Sequence, residues 1–535
     1  MQTVSSTFTA AVSSSVKKPQ YGFLVSWKKN IDPGVHYFKL NHSHLDGSGI
    51  LKGSGDTITF FDKYDYQDES PWVKNFRITR KFSTRPWGVI MATAEIELNN
   101  TNLRFMPGHD PDIGAYVDLP ERPVKLKVGY NGEFIDAFVG YADRPVSTLV
   151  KRITKITAFD ATTYLSSVKS SLPAFVDTPM QDIVEALLIE QGFSPQQFNI
   201  EPSLQQPIGY VPVKGRFVTT ILQELAEAEG LIIFTDEHGI IQVWNRLHLL
   251  GDKPPVWEFD YDNLAEVNQE STSIINSAQV ITKPFKPQAW NKLWEMDDPS
   301  DQTLVPPNGS IDIFAEFKDD LGNYYAISVD TPTTVALADG SSSYMTNTSK
   351  DGDAATNAAA ISLSSVYNFG DTYRMTFTNS SDMPTYITRI QLFGQPAKVT
   401  AVKTAVQEDQ TSIDKYGMNP DNKKETLIIE NNLVQDTATA NSMAWMLVDL
   451  NKNPHSRMDL DNFVVPHLQI GDPIKVNIEE TAQEKYCNIM GTELFFGVNA
   501  NITQSLYVEE REQKMYFRLD TSHLDGYGGA HHLAL

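Results

Sequence analysis

The chain has 535 residues, 41% of them apolar, a formal net charge of −23 and one cysteine. At about 150 residues per domain, that length allows three to four domains, and no run of about 18 apolar residues offers a membrane span. A single cysteine excludes an internal disulfide framework and a cysteine-based zinc site, and the acidic balance argues against a grip on nucleic-acid phosphates.

The chain opens with MQTVSSTFTAAVSSSVKKPQ. No charged segment precedes an apolar core, so it reads as a flexible or docking arm, not a secretory signal. Folding in a reducing cytoplasm suits the lone cysteine. Residues 37–49, YFKLNHSHLDGSG, return near the other end as YFRLDTSHLDGYG, 516–528, with nine of thirteen positions identical. Tyr37 and Phe38, like Tyr516 and Phe517, read as strand. Asp46–Gly47 and Asp525–Gly526 read as the turn that ends it, the aspartates bonding local backbone. Three readings stay open: one good turn used twice, two equivalent docking elements, or a metal site from His44, Asp46, His523 and Asp525.

From 57 to 165 the text is strand-like, as in NFRITRKFS, TAEIELNN and RPVKLKVGYNG, punctuated by Gly, Pro, Asn and Asp. YNGE, 130–133, fits a type I′ hairpin turn. This spacing predicts a barrel or sandwich. Near 178 the period changes. Met180, Ile183, Val184, Leu187 and Leu188 share a helical stripe, with Thr178 as cap, Pro179 at the first helical position, Gln181 completing a capping box and Gly192 as terminator. RFVTTILQELAEAEG repeats the pattern up to Gly230, and LIIFTDEHGIIQVWNR reads as a hairpin turning at Asp236–Gly239. Residues 285–400 read as strands in Ser/Thr/Asn/Gly-rich loops, which suits a β-sandwich. A helix is predicted over 437–451, followed by strands. No repeat array or coiled coil is evident.

Candidate chemistry is sparse. GSGILKGSG, 47–55, matches neither phosphate-binding nor dinucleotide spacing and reads as a loop. EMDDPSD and DGD lack the spacing of a calcium loop. There is no H-E-x-x-H or G-x-S-x-G. Cys487 in EKYCNIMG reads as a buried core residue, and the terminal AHHLAL as a solvated tail. Neither catalytic residues nor a metal or cofactor is expected. Trp290, Trp294, Tyr324 and Tyr325, in or beside the sandwich, are the candidate glycan contacts.

The order ATAEIELNNTNLRFMPG, DLPERPVKLKVGYNGEFIDAFVGYADRP, KRITKITAFDATTYL resembles the first barrel of the hub-type minor tail proteins of long-tailed bacteriophages. FVTTILQELAEAEGLIIFTDEHG resembles the small domain that follows it. PTYITRIQLFGQPA, QEDQTSIDKYG, TANSMAWMLVDLNKNP and PHLQIGDPIKV are similar to the second half of that family.

The resemblance implies a mainly β chain with a small α/β portion: two hub-type β-barrels, an α/β domain and an inserted β-sandwich. The expected divisions are 1–55, an N-terminal arm with a docking tag; 56–165, the first hub β-barrel; 166–255, the α/β domain; 256–285 with 401–535, the second hub β-barrel with the C-terminal tag; and 286–400, the sandwich, a candidate glycan-binding module. It further implies a non-enzymatic homotrimer at the virion's tail tip, assembled in the host cytoplasm. There it would join a sixfold tail-tube or distal tail ring to a threefold tip. The implied partners are the distal tail protein or tube ring, the tape measure protein and tail fibre or tip proteins. DNA would pass through without specific binding, repelled by an acidic lumen. The other function class is a tail protein that binds or hydrolyses a host-surface glycan.

Overall fold

The computed structural model describes residues 1–14, 18–28, 64–81, 87–204, 207–249, 253–260, 264–297, 302–317, 325–334, 342–350, 360–368, 372–399, 402–416, 424–478, 483–497, 502–511, 516–517 and 532–533. The fold is mainly β, with 49% strand and 15% helix.

One large sheet dominates. Its first group of strands is β1 (Gln20–Val25), β2 (Val73–Lys81), β3 (Ala92–Asn99), β4 (Arg122–Tyr130), β5 (Glu133–Ala142), β6 (Val146–Thr148) and β7 (Ile153–Phe159). Its second group is β8 (Leu264–Ser271), β9 (Ser456–Phe463), β10 (Pro473–Ile478), β11 (Gln483–Phe496) and β12 (Ile502–Glu510). The alternation of buried and exposed residues is plain in β2, where Phe76, Ile78 and Arg80 point inward. That period of two places one face on a core. The pairing order runs β8-β9-β12-β11-β2-β3-β7-β5-β4-β1, and all these pairs are antiparallel. Among the described residues neither half closes on itself. The two barrels expected from the sequence are instead two stretches of one continuous sheet, because β2, paired with β3 of its own half on one edge, bonds on its other edge to β11 of the other half.

Among the described residues six α-helices accompany the strands: α1 (Ser6–Val12), α2 (Ala161–Tyr164), α3 (Met180–Glu190), α4 (Val218–Glu229), α5 (Gln410–Tyr416) and α6 (Thr437–Asn451). α3 and α4 turn their apolar stripes into one core that also takes Ala440, Met443, Ala444 and Leu447 of α6. Gly230 closes α4 in the left-handed conformation at φ 74°. The capping box at the start of α3 is absent. Thr178 ends a short strand and donates to Val176, Asp177 takes a positive φ, and Gln181 accepts from the Ser203 amide. Tertiary pairing of Phe175–Thr178 with Ile208–Val211 has overridden the local cap. The turn at Asn131–Gly132 has positive φ at both residues, 53° and 82°, as type I′ geometry requires.

Residues 285–399 fold around one long strand, Thr385–Val399, which pairs with five shorter ones. A second, three-stranded sheet centred on Thr372–Asn379 packs over it through Phe377, Ile387, Ile390 and Leu392. The N-terminal arm is docked. Phe8 of α1 is fully buried, its ring edge-on to Tyr130 at 5.6 Å and to His467 at 5.8 Å.

Candidate functional site

The strand registers reveal that the large sheet contains one ladder twice. The first is β2-β3-β7-β5-β4 and the second is β8-β9-β12-β11-β10. Ile96 of β3 lies opposite Ile156 of β7, and Leu460 of β9 lies opposite Leu506 of β12. Matching those pairs aligns the neighbouring registers, apart from a shift between Leu126 and Lys127 in β4–β5 that β10–β11 lacks. Phe76 faces Ile96 as Val267 faces Leu460. β2 carries a bulge between Val73 and Asn75, and β8 carries one between Leu264 and Glu266, at the matching place. A bulge is a specific local feature that bends and twists its strand, so its recurrence at one register is not a generic property of sheets.

The hairpins match as well. Pro123 pairs with Tyr141 across β4–β5, and Pro473 pairs with Asn488 across β10–β11. Tyr141 and Asn488 occupy equivalent places against β7 and β12. A side-chain bond is also duplicated. The Asp160 carboxylate, just past β7, accepts the Ala92 amide at 2.8 Å, and the Glu510 carboxylate at the end of β12 accepts the Ser456 amide at 3.0 Å. Ala92 and Ser456 each begin the neighbouring strand. The duplication ends at the fifth strand: β1 adds antiparallel to β4, whereas Trp257–Phe259 adds parallel to β10.

Reading the residues alone showed no repeat array; a duplicated unit entered only through the resemblance, as two hub-type barrels. Its surviving signal is short: Pro123-Val124-Lys125-Leu126 against Pro473-Ile474-Lys475-Val476. Only backbone pairing shows that the two tetrapeptides hold the same position.

Where the ladders meet, β2 pairs with β11 from Phe76↔Phe496 to Lys81↔Gly491. The Phe76 and Phe496 rings stack at 5.5 Å, and Tyr21 covers Phe496 at 4.4 Å. Phe76, Ile78, Leu494, Phe496 and Ile502 belong to one buried cluster, so the two halves share a core at this seam. On the other face Arg77 bonds Glu493 at 3.2 Å and lies 5.4 Å from the Phe495 ring centroid. Gly491 lets the strands approach, since a Cβ there would sit 2.9 Å from the Arg80 carbonyl oxygen.

A buried charge knot fastens the seam to the rest of the molecule. Arg80 is 2% exposed and donates to Glu237 at 2.6 Å. The other Glu237 oxygen accepts from Gln469, also at 2.6 Å, so β2, the 236–239 turn and the loop before β10 meet at one carboxylate. Next to it the His238 ring contacts Asp136 at 3.2 Å, and that bond raises the His238 pKa. Burial pushes the Asp160 carboxyl upward, opposed by the donors of Thr163, Ala92 and Thr162. His467 is wedged between Phe8 and Trp257, where burial, and then the nearby terminal ammonium, lower its pKa to about 4. Burial raises Glu229 to about 7. These groups cement element junctions.

The sequence-chosen residues are scattered relative to this seam. Tyr37, Phe38, His44, Asp46, Gly47, His523, Asp525, Gly526 and Tyr324 lie outside the described residues. Tyr516–Phe517 pairs in parallel with His532–Leu533, so the terminal segment read as a solvated tail contributes a strand. Trp290 is 49% exposed. Trp294 in the strand Asn291–Met296 packs against the sandwich core. Tyr325 opens the strand Tyr325–Val329. Cys487 is buried, and its thiol is pushed up to about 12. Among the described residues no group of three or more His, Cys, Asp and Glu side chains is placed to hold a metal ion.

The chain matches no protein-family model and no curated protein. Solved structures do align with it. They include tail proteins and a type VI secretion system component. A tail protein from Neisseria meningitidis MC58 aligns with TM-score 0.43 at 10% identity, over 84% of this chain and 94% of that one. The 43 kDa tail protein of prophage MuSo2 from Shewanella oneidensis aligns with TM-score 0.44 at 11% identity, over 84% and 96%. The prophage tail protein gp18 from Listeria monocytogenes EGD-e aligns with TM-score 0.37 at 10% identity, over 85% and 93%.

Proposed function

We propose that this chain is a structural hub of a bacteriophage tail, a homotrimeric adaptor between a sixfold tail ring and a threefold tip. The observation that carries the reading is the duplicated ladder. A chain that holds the same five-stranded ladder twice presents two nearly equivalent surfaces. Three copies then present six, which matches a sixfold ring without requiring six chains. The order of hub-like motifs in both halves supports the same reading from the sequence. So does the shared core at the β2–β11 seam, which fixes the two ladders against each other inside one chain, as a ring segment needs.

In this role the chain performs no catalysis. It holds a channel for DNA, contacts the distal tail protein or tube ring above and the tape measure protein within, and carries fibre or tip proteins below. The net charge of −23 per chain suits a lumen that DNA must slide past.

The test is the mass of the purified protein by light scattering, alone and mixed with the virion's ring protein. A trimer, alone or formed on the ring, is expected. A monomer that ignores the ring overturns the reading.

A further inference from the structure

The seam inside the chain also specifies the seam between chains. β2 and β8 are equivalent strands, yet β2 pairs with both β3 and β11, whereas β8 pairs, among the described residues, with β9 alone. The segment of β11 that receives β2 is Gly491–Phe496. Its counterpart in the first half follows from the shared partner strand. Phe495 faces Thr503 of β12, and Thr148 faces Ile153 of β7 at the matching position. The counterpart is therefore β6, whose only strand partner among the described residues is β7. Among the described residues, one ladder leaves its β8 edge open and the other its β6 edge.

We infer that the β8 edge of one copy pairs antiparallel with the β6 edge of the next, repeating between chains the β2–β11 seam found within the chain. The inference rests on the trimeric reading above and adds its contact surface and register. Transferring Phe76↔Phe496, Arg77↔Phe495, Ile78↔Leu494 and Thr79↔Glu493 through the equivalence gives Val267 opposite Leu149, Asn268 opposite Thr148, Gln269 opposite Ser147 and Glu270 opposite Val146.

Two features of the edges fit a second copy as occupant. The first is apolar exposure at the β6–β7 hairpin: Val146 is 67% exposed, Leu149 60% and Val150 97%. Three large aliphatic side chains in five residues, held in water beside an open strand edge, invite association. In the inferred register Leu149 takes the place of Phe496 and packs beside Val267 and Leu264, which already flank the buried Leu460. The second is charge. Lys151, Arg152 and Lys155 are exposed on the hairpin, and Glu266 and Glu270 are exposed on β8. Acidic edge meets basic hairpin in an otherwise acidic protein. Such a contact is heterologous, so it generates a ring when the rotation closes, and strand addition supplies its main-chain bonds.

The register is tested by cross-linking the full chain. Directly opposed residues of an antiparallel pair lie about 4.5–5.5 Å apart at Cα, within disulfide reach. The variant Asn268→Cys with Thr148→Cys is oxidised mildly, and the mass of the same sample is read by light scattering. Cys487 is buried and does not compete. The expected result is covalent dimers and trimers on a non-reducing gel, and none from Asn268→Cys with Val150→Cys, which is slipped by two residues. A trimer that cross-links at neither pair overturns the strand contact while leaving the hub reading standing. Cross-linking only in the slipped pair overturns the register. A monomer overturns both.

Discussion

At the scale of single residues, two groups decide how the interior tolerates charge. Arg80 and Glu237 are a buried pair whose members would be costly to leave alone, because taking a charge out of water requires its partner. Arg80→Met is expected to cost roughly 3–5 kcal/mol in denaturant unfolding. Adding Glu237→Met should recover part of that loss, since the orphaned charge is then gone. Equal loss in the single and double variants would contradict this account of the pair. His467 makes the opposite choice and stays neutral. Its folded pKa of about 4 lies below the ordinary value of 6.5, so between these values the unfolded chain binds more protons. Its contribution is therefore complete above about pH 6.5 and is lost as pH falls toward 4, amounting to about 3 kcal/mol. His467→Phe should flatten the stability profile in that window. An unchanged slope would show that other groups set it.

At the scale of elements, the bulged strand at the seam is the sensitive point. β11 shifts register between Ile489 and Gly491, and Gly491 lies opposite Lys81 of β2. A side chain there meets the Arg80 carbonyl and the Lys81 Cα, both backbone atoms that cannot swing aside. Gly491→Val is expected to destabilise by about 2 kcal/mol or more. Faster amide exchange in both β2 and β11 should accompany it, whereas exchange confined to β11 would mean the seam does not couple the halves.

Legibility in the sequence divided along the same line. α4 was readable because its stripe and Gly230 are local signals, and so was the Asn131–Gly132 turn. The cap of α3 was not, since Thr178 is drawn into a strand by residues thirty positions away. The open sheet was hidden for the same reason. Nothing near Phe76 announces that its partner is Phe496. The ladder repeat survives in sequence only as Pro-Val-Lys-Leu against Pro-Ile-Lys-Val, too short to stand out from chance. Register is a backbone property, and side chains on equivalent strands have diverged as far as Phe76 and Val267.

At the scale of the whole molecule, the proposed hub would use duplication within one chain to reconcile threefold and sixfold symmetry. The large insertion between the two halves of the second ladder's sequence leaves its strand order untouched: β8 and β9 pair directly although the 285–399 sandwich and α6 intervene. The repeated scaffold and the inserted sandwich are thus separable in topology, and the scaffold carries the proposed ring. The most direct measurement is electron-microscopic averaging of the purified assembly viewed down its axis. The account expects a ring of six similar lobes with threefold alternation, the alternation marked by three sandwiches. Three lobes without pairing, or six lobes built from six chains by mass, would contradict it.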